Sequence, residues 1–107
     1  MRARIEEILA TLVAFPTVSA RSNLALIDWV EAVLTGAGFA VTRIAARDEP
    51  KAGLLARFGT GEGGTLFSAH TDVVPVEGQR WSVEPFALTE RGDAADRTLH
   101  RKQQPVF

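Results

Sequence analysis

The chain has no cysteine, which excludes disulfide stapling and thiolate zinc sites. Any metal must therefore be held by histidine and carboxylates. It has almost no net charge, −1 at pH 7, and so lacks the basic footprint of a nucleic-acid binder or of a protein drawn to an anionic membrane. It also lacks an apolar run long enough to span a bilayer. The best candidate leader, Ile8 to Phe15, follows Arg2 and Arg4, and Val18-Ser19-Ala20 would pass as a cleavage site. Glu6 and Glu7 interrupt that leader, and Ile5, Ile8, Leu9, Leu12 and Val13 fall on one stripe of an amphipathic helix. The expectation is a cytoplasmic chain with no membrane and no nucleic-acid partner. There is no internal repeat, interdomain linker or charge block, and 107 residues allow one domain at most, with a modest core.

What is present reads as helices followed by strands. A first helix is expected from Ala3 to Ala14, stopping before Pro16, which disfavours helical geometry at Phe15. Ser22 or Asn23 can cap a second helix running to about Thr35, with Gly36 following its last turn and Gly38 a second flexible point. Leu26, Val30 and Val33 line one face of that helix, Ile27 and Leu34 extend it, and burial is the default for Trp29. Strands are expected at Phe39–Ile44, Leu54–Phe58 and Thr65–Ala69, with a polar loop at Arg47–Lys51. The third strand reads as buried. A short glycine-rich connection makes it an antiparallel neighbour of the second. The fold class is α/β with a mixed sheet.

His70-Thr71-Asp72, at the end of that third strand, is the one constellation with chemistry in it. Neutral imidazole is the commonest metal ligand, and a carboxylate two residues on can turn back to take the other ring N–H. The spacing alone is weak, and a satisfied structural histidine is the alternative. Gly59-Thr60-Gly61-Glu62-Gly63-Gly64 satisfies the dinucleotide pattern G-x-G-x-x-G, but a strand follows it where a phosphate-binding helix would be needed. Those glycines read as a turn. Trp81, Pro85 and Phe86 read as packing that anchors a loop. His100, flanked by Arg97, Arg101 and Lys102, sits among cations that oppose a divalent ion. It reads as solvated or disordered.

Ser68 to Gln79 with Arg80 to Phe86, together with Phe15-Pro16-Thr17-Val18-Ser19 and Ser22 to Trp29, resemble the acetylornithine deacetylase and succinyl-diaminopimelate desuccinylase family of zinc-dependent amidohydrolases. The resemblance runs from about Ile5 to about Leu99 and leans toward the acetylornithine branch. It implies part of a zinc peptidase-like α/β domain with a central mixed sheet. It also implies His70 as a zinc ligand, with cobalt a possible substitute, and Asp72 as the catalytic-site carboxylate that fixes the His70 tautomer without binding metal. The substrate implied is a small N-acyl amino acid, and intact relatives are expected to be homodimers. The activity implied is deacetylation of N-acetylornithine to ornithine and acetate, a step of arginine biosynthesis.

The pattern breaks after Leu99. The family continues L-Y-G-R-G-x-x-D-M-K-G, and its metal-bridging aspartate would fall at position 106, which is Val106. Its later pair of glutamates, one the general base and one a ligand, has no counterpart. Residues 1–99 are therefore expected to be the N-terminal part of a catalytic domain, and 100–107 a divergent tail from a changed reading frame, a truncated gene or a foreign terminus. Other readings stay open: a desuccinylase or peptidase of the same superfamily, and, in a different class, a non-catalytic remnant or interaction module.

Overall fold

The computed structural model describes residues 1–91 and 98–100. These form helices α1 (Arg2–Ala14) and α2 (Leu24–Gly36) and strands β1 (Ala40–Ala45), β2 (Ala52–Arg57), β3 (Thr89–Arg91) and β4 (Thr98–His100). They fall into two compact units, Thr17–Val74 and Met1–Pro16 with the residues from Pro75 onward.

In the Thr17–Val74 unit, α2 packs on an antiparallel β1–β2 hairpin. The register pairs Val41 with Ala56 and Arg43 with Leu54, and cross-strand partners share a face. Ala52, Leu54 and Ala56 alternate with exposed Gly53, Leu55 and Arg57, so one face is covered and the other is not. Leu26 and Ile27 of α2 are buried, Val30, Val33 and Leu34 half-buried, as the helical period requires. Trp29 is only half-buried. Across the open end of the hairpin the Phe39 and Phe58 rings meet at 5.3 Å, tilted. On the same face Arg43 reaches α2: its Nη2 donates to Asp28 at 2.6 Å, and its Nε donates to Glu31 at 2.9 Å.

Both ends of α2 are set by side chains or backbone that the sequence points to, though not always in the expected way. Asn23 occupies the N-cap position but its side chain makes no cap hydrogen bond. It bridges to β2 instead, donating from Nδ2 to the Ala52 carbonyl and accepting from the Ala52 N–H, both at 2.9 Å. Ser22 Oγ accepts from the Leu24 N–H and donates to the Pro50 carbonyl. At the other end Gly36 is the last helical residue, and Gly38 is the one in the left-handed region, at φ 92°. Its N–H donates to Thr35 O and the Phe39 N–H to Leu34 O, a Schellman closure that turns the chain directly into β1. Asn23→Ala would strand a buried peptide N–H and is expected to destabilise this unit by about 1–3 kcal/mol, read by chemical denaturation. Asn23→Asp keeps the acceptor but sets a carboxylate oxygen against the Ala52 carbonyl, so it should not restore the parent's stability.

The third strand is the principal correction. Thr65–Ala69 belongs to no ladder among the described residues, and Leu66 and Phe67 are 82% and 90% exposed. An apolar run of this kind needs a neighbour to bond and a layer on each face, and neither is supplied. The hairpin partner of β2 is β1, not this segment. The expected mixed sheet is, among the described residues, two antiparallel pairs and one isolated parallel bridge between Val18 and Val73.

In the other unit α1 ends where Pro16 requires, with Phe15 extended at φ −74°, ψ 119°. Ile8, Leu9 and Leu12 are half-buried and Val13 fully buried, but Ile5 is exposed. Trp81, Pro85 and Phe86 are half-buried, and the Trp81 indole N–H donates to Val76 O at 3.0 Å, closing the loop expected there. β3 and β4 pair antiparallel, Thr89 opposite His100, a hairpin that the sequence reading did not anticipate. The tail expected from residue 100 thus begins inside β4, and residues 101–107 lie outside the described residues. No helix among the described residues is long and apolar enough to cross a membrane.

Candidate metal centre

His70 and Asp72 are brought together by the spacing itself. In extended backbone, side chains at i and i+2 point to the same side. The His70 Nδ1–H donates to Asp72 Oδ1 at 2.8 Å. That contact leaves Nε2 of the ring uncommitted to Asp72, and the His70 side chain is 84% exposed. A ring held by one nitrogen to a carboxylate, with the other facing outward, has the form of a metal-binding imidazole.

The backbone under the pair is held from the N-terminal side of the same unit. Thr17, only 3% exposed, donates from Oγ1 to the carbonyl of Thr71 at 2.6 Å. The Val73 N–H donates to Thr17 O at 3.0 Å, and the Ser19 N–H to Val73 O at 2.9 Å. Residues 17–19 and 72–74 therefore lie side by side in parallel, with the Val18–Val73 bridge at the centre. Thr71 has no side-chain role visible in the sequence; its main-chain carbonyl is what the structure uses. Thr17 is the residue that sequence reasoning missed. Its one signal was its place in the Phe15-Pro16-Thr17-Val18-Ser19 segment that carries the family resemblance.

His70, Thr71 and Asp72 line one side of an open depression of about 640 Å3. Leu26, Leu54, Leu66 and Phe67 line other parts of it together with Arg21, Asn23 and Lys51, so its walls are mixed. The glycine-rich segment behaves as a turn. Gly59, Gly63 and Gly64 have positive φ, and no helix follows. That removes the phosphate-binding helix terminus on which a dinucleotide site depends.

A catalytic zinc takes three protein ligands and leaves one position open. Among the described residues no group of three or more His, Cys, Asp or Glu side chains converges. His70 with Asp72 fits one coordination position, and the described residues do not complete a centre. The backbone of His100 lies in β4.

Comparison with known proteins places these residues in a lineage. The chain is 39% identical over 94 residues to the acetylornithine deacetylase of Pasteurella multocida, a match covering 79% of this chain and 24% of that protein. It is 34% identical over 93 residues to that of Buchnera aphidicola, covering 81% of this chain and 24% of the relative. A shorter match to the Aliivibrio fischeri acetylornithine deacetylase is 52% identical over 46 residues, 43% of this chain and 12% of the relative. This chain is a relative of the acetylornithine deacetylases. It spans about a quarter of the length of the first of these relatives. No protein-family description matches the chain, and no solved structure matches it. The kinship to acetylornithine deacetylases thus stands on sequence, and the small α/β arrangement on the structure.

Proposed function

We propose that this chain carries the first metal-ligand segment of a zinc-dependent deacetylase that cleaves N-acetylornithine to ornithine and acetate. His70 is the ligand through Nε2. Asp72 fixes the ring with Nδ1 protonated, so that the Nε2 lone pair is free to bind. The fold reading that goes with it is part of a zinc peptidase-like domain. The supporting observation is the 2.8 Å His70–Asp72 contact within a chain related to acetylornithine deacetylases. When bound in a complete site, the metal supplies a water of lowered pKa and polarises the amide carbonyl. This chain's residues do the preparatory work: they hold one imidazole in the right tautomer and direction.

For the 107-residue chain by itself a second reading applies, favoured by the lack of any three-donor cluster among the described residues. Alone, it is a metal-site segment without the site, and not a working hydrolase. The full activity belongs to a polypeptide that also supplies the remaining ligands and a general base. The open depression beside His70 would then face those further parts, with the cytoplasm as the setting.

Calorimetric titration with zinc separates the proposal from a bland surface histidine. Weak binding is expected in the parent chain, lost in His70→Ala, retained in His100→Ala and reduced in Asp72→Asn. Equal loss in both histidine variants would refute the assignment of His70.

A further inference from the structure

We infer that Thr17 is a positioning residue for the His70–Asp72 pair. It rests on the reading of that pair given above, but its test needs no metal, so the two can fail separately. The geometry is specific. Thr71 lies between the two side chains that must meet, and the peptide it contributes decides their separation. The Thr17 hydroxyl, almost wholly buried, donates to the Thr71 carbonyl at 2.6 Å. The flanking Thr17 O and Val73 N–H are joined in turn, so the hydroxyl and the backbone of one residue grip both ends of the Thr71–Val73 stretch. His70 and Asp72 are themselves exposed, with no packing to fix them. Their mutual orientation therefore depends on the backbone beneath, and the buried side chain that sets that backbone is Thr17. A hydrogen bond of this kind between uncharged partners is short and shielded from water, which favours a single arrangement of the turn.

The device has no need of chemistry at Thr17 itself. Its effect is on the balance between the two neutral tautomers of His70. With the turn held, Asp72 accepts from Nδ1–H and that tautomer dominates. With the Thr71 peptide free to rotate, the contact is made only part of the time, and the ratio falls toward that of a free histidine.

The test is the His70 tautomer ratio in the 107-residue chain, read from ring 15N shifts about two units above the ordinary imidazole pKa of ~6.5. Thr17→Val and Thr17→Ala should lower the ratio of Nδ1–H to Nε2–H about three- to tenfold, the effect of one hydrogen bond. Thr17→Ser, which keeps the hydroxyl, should restore it. Protection of the Gly53 and Leu55 amides, which face Ile44 and Thr42 across the ladder, reports whether the hairpin persists in each variant. A parent-like ratio in Thr17→Ala with those amides protected would overturn the inference. So would a ratio in Thr17→Ser as low as in Thr17→Ala. Should Thr17→Val fail to fold, the alanine and serine pair decides: a lowered ratio in alanine alone supports the role, and equal ratios end it.

Discussion

N-acetylornithine incubated with the 107-residue chain, with zinc or cobalt added, is expected to be hydrolysed no faster than in buffer. The reason lies in the number and kind of groups present. Amide hydrolysis at a metal requires a centre that holds a water at lowered pKa, a base to take its proton and a group to polarise the carbonyl. A zinc site of that type takes three protein ligands. The described residues bring together one imidazole and one carboxylate, and the carboxylate is occupied with the imidazole. Position 106, where the family resemblance expects a bridging aspartate, is valine. Removing a single general base or metal ligand from an enzyme costs orders of magnitude, and among the described residues no three-donor group converges. Acetate release that needs added metal and vanishes in His70→Ala would show that the chain completes a site by another route.

Leu26→Ala is expected to cost the Thr17–Val74 unit about 2–5 kcal/mol, the range for truncating a fully buried leucine. Leu26 has no exposed surface and lies in α2, which packs on both strands of the hairpin. The unit has few such residues: Val18, Ile27 and Ala52 are the other buried apolar side chains in it. A core this small supplies no more than about 3–5 kcal/mol of net stability, so the substitution should remove most or all of it. Urea titration followed by far-ultraviolet circular dichroism would show a lost or strongly shifted transition. Leu55→Ala, on the uncovered face of β2, is the control and should shift it little. A Leu26→Ala chain as stable as its parent would mean that the core lies elsewhere.

The parts of this structure legible in the sequence are those fixed by local rules. Pro16 stops α1 because the residue before a proline avoids helical geometry. The spacing of Leu26, Ile27, Val30, Val33 and Leu34 sets the buried face of α2. The strands on either side of the polar loop at Arg47–Lys51 lie within two residues of their expected boundaries, although the expected partner of the second was Thr65–Ala69 and not the first. The His70–Asp72 contact follows from an i, i+2 spacing in extended backbone. What failed depended on partners distant in sequence. Thr65–Ala69 has the composition of a buried strand, but composition cannot supply a ladder neighbour or a covering layer. Asn23 looked like a helix cap because that is the local use of its side chain, and Ala52, twenty-nine positions on, took it instead. The Thr17–Thr71 bond spans fifty-four positions, and no local pattern announces it.

The most direct measurement of the central claim is the zinc-induced change in the ring 15N shifts of both histidines. A perturbation is expected at Nε2 of His70, with Nδ1 still protonated and bonded to Asp72, and no comparable change at His100. Zinc binding that bypasses His70, or that engages it through Nδ1 at the expense of the Asp72 contact, would contradict that claim.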